Sequence, residues 1–327
     1  MNLKLSVIIV NWNVSDLLCA CLDSLKDNLA KYTYEVIVID NYSSDESVAK
    51  VKQYYPWVTL IENKVNQGFA RANNQGFKIA NGEYILILNP DTVVKSGSIQ
   101  RMIRILEVDP AVGMVGPKII DEFGRITPPC KRSAPSLLKI FLTRLLFYKL
   151  FYKLLNIFNI MEKTYYKRFE KSELTQCIQG ACMLVRQKDL FKVGYFDESI
   201  PMFLDDLDLC YRFRIAGYGI FYCADAVITH ICSASIKKSE KPKLLDLVVY
   251  QGLDIYFLKH NGALVVFLHH LIVFISSSIL LLIDLVIIPV LFFWKREYIY
   301  SLIEKHFYMF KFSLFLKLEN PAFKNYK

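Results

Sequence analysis

Asn89-Pro90-Asp91 closes a short apolar run, Tyr84 to Leu88. A run of that kind forms a strand buried on both faces. Pro90 cannot donate to a sheet ladder, so the strand stops there and Asp91 is delivered to its carboxyl end. In open α/β sheets that edge is where ligands bind. A hard carboxylate there can hold a divalent cation, and the cation can hold a diphosphate. Asn, Pro and Asp are also common turn formers, so a plain turn is the competing reading. A second group is Asp205-Asp206-Leu207-Asp208, with three carboxylates in the first turn of a helix that Gly217 terminates. Complementing the helix dipole accounts for acids at a helix start. Crowded carboxylates also repel, which raises the proton affinity of one of them and makes a usable general base. His230 follows Val227-Ile228-Thr229 and closes the same region; a lone His serves packing as readily as ligation.

The elements that must position these groups read as alternating strands and helices. Residues 5–10 form a buried strand that exits into Asn11-Trp12-Asn13, and Ser15 or Asp16 can cap the helix that follows. Residues 35–40 form a second strand ending on Asp40, and 58–62 a third, weaker one. A helix over 68–80 precedes the strand that carries Asn89 and Asp91. This alternation predicts an α/β fold with a mostly parallel central sheet. The strand exits then gather Asn11, Asn13, Asp40, Asn41, Asn89 and Asp91 along one edge, where Asp40 can accept hydrogen bonds from a ribose or a base. Asn66, Gly68, Arg71 and Asn74 belong to the loop and helix between the third and fourth strands. Gly68 permits close backbone approach, and the helix it opens points its N-terminus at an anion. Taken alone, Arg71 reads more readily as a solvated surface charge than as a ligand contact. No Gly-x-Gly-x-x-Gly follows the first strand, which removes the best sign of a dinucleotide fold. Further on, a helix over 96–107, strands over 112–118 and 219–223, and a small-residue turn at Gln179-Gly180-Ala181 into another strand are expected.

Of the 327 residues, 54% are hydrophobic and 14% aromatic, with a net charge of +9. That is too apolar for a purely soluble chain, and the charge suits an anionic membrane surface. The aromatics cluster in apolar runs without the basic groove of a strand binder, which disfavours nucleic acid. Eight cysteines without metal-ligand spacing read as reduced thiols of a cytoplasmic protein, and no signal-peptide pattern opens the chain. Residues 136–161 are dense in Leu, Phe, Tyr and Lys, with cations that favour no single helical face. A membrane-surface element, an acceptor-side lid or ordinary packing all fit. Residues 263–294 form an almost unbroken apolar run, longer than the roughly 20 residues that cross a bilayer. An intramembrane Asp is costly, so a break is expected at Asp284, followed by a re-entrant or interfacial piece. The expected organisation is a catalytic domain over 1–240, with an insertion at about 132–172, and a membrane-associated helical region over 241–327.

In order along the chain, the stretch 7–13, Val38-Ile39-Asp40-Asn41, the stretch 66–74, Leu88-Asn89-Pro90-Asp91, Gly180-Ala181, Phe196-Asp197-Glu198, the segment from Asp205 to Arg212 and His230 resemble a family-2 glycosyltransferase of the GT-A fold. The rhamnosyltransferase-like branch is the nearest in flavour. The resemblance covers most of residues 3–235. It implies that Asp40 meets the nucleotide base, that Asp91 ligates Mg2+ or Mn2+, and that His230 is a further metal or diphosphate contact. It implies Asp206 as catalytic base with Asp205 beside it, and Asn11, Asn13, Asn66, Gly68, Arg71, Asn74 and Asn89 around the donor. Two residues depart from the pattern: Asn89 stands where many relatives have Asp, and Asp205 where Glu is commoner. The Gln-x-x-Arg-Trp signature of processive synthases is absent, so one sugar per acceptor is expected. The implied donor is a dTDP- or UDP-linked sugar, the acceptor a lipid-linked or other glycan, and the place the cytoplasmic face of the plasma membrane. A polyprenyl-phosphate glycosyl synthase, which has less need of a base, and a non-catalytic basic membrane-binding protein are the alternatives.

Overall fold

A computed structural model describes residues 3–29, 31–127, 130–144, 169–200, 204–231, 245–291 and 296–314. The chain divides into two compact units.

The first unit is built on β1 (Leu5–Asn11), α1 (Ser15–Leu29), β2 (Tyr34–Asp40), α2 (Ser47–Tyr54), β3 (Thr59–Glu62), α3 (Phe69–Ile79), β4 (Tyr84–Leu88), β5 (Thr92–Val94), α4 (Ser98–Val108), β6 (Val112–Ile120) and β7 (Lys131–Arg132). The helix α5 (Leu137–Arg144) belongs to the second unit. The first unit resumes with β8 (Glu173–Thr175), β9 (Cys177–Ile178), β10 (Cys182–Arg186), α6 (Gln187–Val193), α7 (Asp205–Ile215) and β11 (Gly219–His230). The sheet order is β3-β2-β1-β4-β10-β6-β11-β5, with β8 also on β11; β7 pairs separately with β9. Strands β3, β2, β1, β4, β6 and β11 run one way, and β10, β5 and β8 run against them.

Every residue of β1, β4 and β10 is buried, as apolar runs covered on both faces require. Helix α3 lies close on the sheet because position 76 is glycine: a Cβ there would stand 2.6 Å from Ile8 Cγ2. The expected sheet is thus present, and β5 and β8 join it beyond the expected strands. β10 is inserted antiparallel between β4 and β6 and brings its N-terminal end against the carboxyl end of β4, with Cys182 opposite Leu88. β11 also runs longer than the expected 219–223. Ala224-Asp225-Ala226 is absorbed as a register shift, and the strand continues to His230.

The second unit contains α5, α8 (Leu245–Asn261), α9 (Ala263–Leu291) and α10 (Arg296–Leu314). The described stretch of the insertion from Pro135 to Arg144 therefore groups with the C-terminal helices, while Arg132 and β8 belong to the first unit. Most of the insertion, including Lys149 and Lys153, lies outside the described residues, as do Lys295 and the chain beyond residue 314. The expected break at Asp284 is not found: α9 is continuous past 284 and 289 to Leu291. Interrupting a helix in apolar surroundings would strand backbone N–H and C=O groups, which outweighs one unfavourable side chain.

Candidate active site

The site is assembled at the carboxyl ends of β1, β2 and β4. Asn11 and Asp40 end adjacent strands in register. Asn11 Nδ2 donates to Asp40 Oδ1 at 2.9 Å, and the Ser43 amide donates to Asp40 Oδ2 at 2.9 Å. Asn11 Oδ1 is buried without a hydrogen-bond partner. Asn13 sits at φ 56° and accepts the Ser44 amide at 2.7 Å; Tyr42 sits at φ 70°. Left-handed backbone at two non-glycine residues is local strain, and it falls on the edge where ligands bind in such sheets. Trp12 and Tyr42 stand exposed just beyond the Asn11–Asp40 pair. A cavity of about 330 Å3 opens beside Asn13, lined also by Ser15, Asp45 and Lys50. The expected cap of α1 by its own Ser15 or Asp16 is replaced by a long-range one: the Ser15 amide donates to Asp45 Oδ2 at 3.0 Å.

β4 ends at Leu88, and the Asn89 amide then donates to Ala181 O at 2.9 Å. Pro90 and Asp91 turn the chain into β5, which runs antiparallel to β11 with Thr92 opposite His230. That reversal brings His230 Nε2 to 3.1 Å from Asp91 Oδ1 and 3.5 Å from Asn89 Nδ2. Both Asp91 and His230 are buried. One carboxylate oxygen and one imidazole nitrogen converge from distant segments. That donor set fits a divalent ion that takes oxygen and nitrogen and completes its shell from a diphosphate and water. Among the described residues no third His, Cys, Asp or Glu joins them.

The three carboxylates of α7 separate by role. Asp206 Oδ1 meets Arg132 Nη2 at 2.6 Å, and its Oδ2 accepts the Gly180 amide at 3.0 Å. A Cβ at Gly180 would lie 3.2 Å from Asp206 Cβ, a tight contact. Asp205 is buried and accepts the Asp206 amide at 3.0 Å. Burial, then the neighbouring Asp206 charge, pushes its carboxyl well above the ordinary range. Asp208 is 0% exposed and pairs with Arg212 Nε at 2.8 Å. The other Arg212 nitrogens donate to the carbonyls of Val193, Gly194 and Tyr195. This third carboxylate anchors the helix.

The residues between the third and fourth strands turn out to hold the scaffold. Asn66 Oδ1 accepts from Asn41 Nδ2 and from the Gly68 amide, at 2.7 and 2.9 Å. Gly68 takes φ 79° as it opens α3. Asn74 is buried and exchanges hydrogen bonds with the Phe196 backbone at 2.9 and 3.0 Å. Arg71 Nε pairs with Glu198 at 2.8 Å. These contacts tie α3 to Phe196-Asp197-Glu198 and give the stretch 66–74 a structural account in this state. Arg132 was missed by sequence reasoning. It lies on a two-residue strand in no recognisable pattern, and only the fold brings it to Asp206.

The sequence profile of glycosyl transferase family 2 matches residues 6–193. The chain belongs to that family. An N-acetylglucosaminyl-diphospho-decaprenol L-rhamnosyltransferase of Mycobacterium tuberculosis is 29% identical over 211 residues, 60% of this chain and 66% of that one. This family-2 chain thus spans just under two thirds of that relative. The rhamnosyltransferase WbbL of Escherichia coli is 26% identical over 223 residues, covering 66% of this chain and 79% of the other. Among solved structures, a mannosyltransferase from Pyrobaculum calidifontis in complex with GDP-Man and Mn2+ superposes with a TM-score of 0.55. It shares 14% identity and covers 96% of this chain and 87% of that one. At that identity the likeness is one of fold, and it agrees with the expected GT-A architecture.

Proposed function

We propose that this chain transfers a single sugar from a dTDP- or UDP-linked donor to a hydroxyl of a lipid-linked glycan, with inversion, at the cytoplasmic face of the plasma membrane. The observation that carries this reading is the meeting of Asp91 and His230 at 3.1 Å on the ligand-binding edge of a family-2 sheet. Asp91 and His230 would hold Mg2+ or Mn2+, and Asp40 and its neighbours would hold the nucleoside. When bound, the ion supplies charge to offset that developing on the diphosphate leaving group. Asp206 takes the proton of the acceptor hydroxyl as its oxygen bonds to the anomeric carbon. The bond to the diphosphate breaks with its electron pair going to the diphosphate, and attack from the opposite face inverts the configuration. The acceptor class is inferred from the mycobacterial relative, whose name specifies a diphospho-decaprenol substrate.

The helical unit supports the membrane part. Ala263–Leu282 is long and apolar enough to cross a bilayer. Within the unit, buried polar groups lie beside the buried Val266, Val273 and Leu280. His269 and His270 are buried and meet the buried Asp254 at 2.7 and 2.9 Å. Arg144 of α5 donates to Ser276 and Ser277 at 2.6 and 2.7 Å. Leu264, Phe267, Leu271, Ile275, Ile279 and Leu282 of the same helix stand exposed. Exposed apolar side chains along a helix of this length suit a hydrocarbon solvent.

A donor screen tests the reading. Purified protein in detergent, with Mg2+ or Mn2+ and a panel of nucleotide sugars, is given an N-acetylglucosaminyl-diphospho-lipid, and nucleotide diphosphate release is followed. Acceptor-dependent release from a dTDP- or UDP-sugar is expected. Transfer only to a polyprenyl monophosphate would favour the glycosyl synthase alternative, and no turnover with any donor would remove the catalytic reading.

A further inference from the structure

The acidic pair on α7 holds an asymmetry that the reaction can use. Asp205 and Asp206 are adjacent and both buried, yet their surroundings differ. Asp206 has a guanidinium on one oxygen and a backbone amide on the other. Asp205 has the Asp206 amide and its own amide near its carboxyl and, among the described residues, no hydrogen-bonded cation; the Arg132 charge reaches it as the smallest of the influences that favour its ionised form. Two neighbouring carboxylates in a low-dielectric site do not both ionise readily, so such a pair holds one proton between them. Its place is set by whichever oxygen is best compensated when charged.

We propose that Arg132 is the positioning residue that keeps this proton on Asp205 and leaves Asp206 as the anion able to accept from the acceptor hydroxyl. This rests on the glycosyltransferase reading above and goes further, since it names what selects the base from two similar carboxylates. Asp206 is the acceptor that Arg132 meets among the described residues, and Arg132 Nε is buried with no hydrogen-bond partner of its own. The guanidinium is therefore held chiefly by the carboxylate it charges. Other titratable groups facing the pair are the thiols of Cys177 on β9 and Cys210 on α7. Cys210 is held neutral by burial, which pushes its thiol up. Cys177 is drawn down chiefly by its hydrogen bond with Cys210, then by other charges including Arg132, against its own burial. The burial-driven rise at Asp205 agrees with its holding the proton.

The test uses the full-length protein in detergent, with Arg132→Gln and Arg132→Lys beside wild type. Aspartate labelled at its carboxyl carbon is followed by NMR across pH without substrate, with Asp205→Asn and Asp206→Asn for assignment. In wild type the Asp205 signal should report a protonated carboxyl near neutral pH. Arg132→Gln should move proton occupancy onto Asp206, and Arg132→Lys should largely restore the wild-type pattern. In turnover with the N-acetylglucosaminyl-diphospho-lipid, Arg132→Gln should lower kcat about tenfold or more at about pH 6, with the deficit narrowing as pH rises. The acceptor KM should stay within about twofold, since uniform binding is untouched. An unchanged Asp206 signal in Arg132→Gln overturns the proposal. So does a kcat deficit equal at every pH, or a rise in acceptor KM with kcat preserved, which would make Arg132 an acceptor contact. Because the NMR arm needs no substrate, a wild type that ignores this acceptor refutes the acceptor assignment and leaves the proton assignment to be judged on its own.

Discussion

At the residue scale, the chemistry rests on a few side chains whose partners can be removed one at a time. Asp91→Ala deletes one of the two converging groups of the candidate metal centre and leaves a small polar gap. Transfer should be abolished while the circular dichroism spectrum and melting curve stay near wild type. Wild-type turnover by this variant in chelator-treated buffer would refute the metal assignment. Asp206→Asn keeps the shape of the side chain but removes its basicity. A rate loss of about a hundred- to ten-thousand-fold is expected, with donor binding retained in equilibrium dialysis. Near-normal turnover would move the base elsewhere. It would not move to Asp208, which is enclosed and committed to Arg212. Asp205 makes a prediction about stability. Its carboxyl is raised in the folded chain, chiefly by burial. Between its unfolded and folded pKa values the native state therefore holds more of the proton than the unfolded state does. Stability contributed by this group falls as pH rises through that window. The melting temperature of Asp205→Asn should be less sensitive to pH from about 4 to 8 than that of wild type. Parallel melting profiles for the two proteins would contradict the buried, protonated assignment.

At the element scale, what could be read from the sequence follows from what carries a local signal. Tyr84–Leu88 is a run of five buried residues ended by Asn-Pro-Asp, so both the strand and its exit were legible. The same holds for Leu5–Asn11, Tyr34–Asp40 and the acidic start of α7. By residue type alone the partner of Asp91 across 139 positions of chain is an isolated His, and the family resemblance is what marks it as a metal or diphosphate contact; their meeting depends on β5 turning back along β11. Arg132 was not legible at all. The family resemblance implies Asn66, Arg71 and Asn74 as donor contacts, and the hydrogen bonds they make here serve the scaffold. An amide's partners are set by tertiary proximity, which residue type does not encode. Arg212 shows the same point in an anchoring role, since it joins α7 to the carbonyls of three consecutive residues. Arg212→Leu should leave Asp208 buried without its cation. The expected cost is about 3–5 kcal/mol, a fall in Tm of roughly 6–20 °C for a domain of this size. A change of Tm within about 1 °C, too small for the loss of a buried ion pair, would show that the clamp contributes little.

At the scale of the whole molecule, α9 contributes to the apolar excess of the composition: Leu264, Phe267, Leu271, Ile275, Ile279 and Leu282 stand exposed, and His269, His270, Ser276 and Ser277 are buried beside Val266, Val273 and Leu280. A chain ending before Asn261 should lose stable membrane attachment. Full-length protein should pellet with membranes and resist carbonate extraction, whereas the truncated chain should be released or bind weakly. Release of the full-length protein by carbonate would rule out insertion. The Arg144 contacts to Ser276 and Ser277 give this unit a handle that composition could not reveal. Arg144→Leu should weaken the helical unit while leaving the catalytic sheet's amide exchange unchanged.

The insertion of β10 between β4 and β6 has a consequence for how the protein is made. Strands β1 to β4 are complete early in synthesis and can pair as soon as they emerge. One edge of β4 then stays open until residues 182–186 arrive, after α4, β6 and the whole insertion have been translated. An unpaired, wholly apolar edge is a template for wrong pairing, and closing it requires contacts far apart in sequence, which slows folding. The nascent chain should therefore show a long-lived intermediate that binds chaperones. Pulse proteolysis of stalled chains should find protection of β4 only once β10 has left the ribosome.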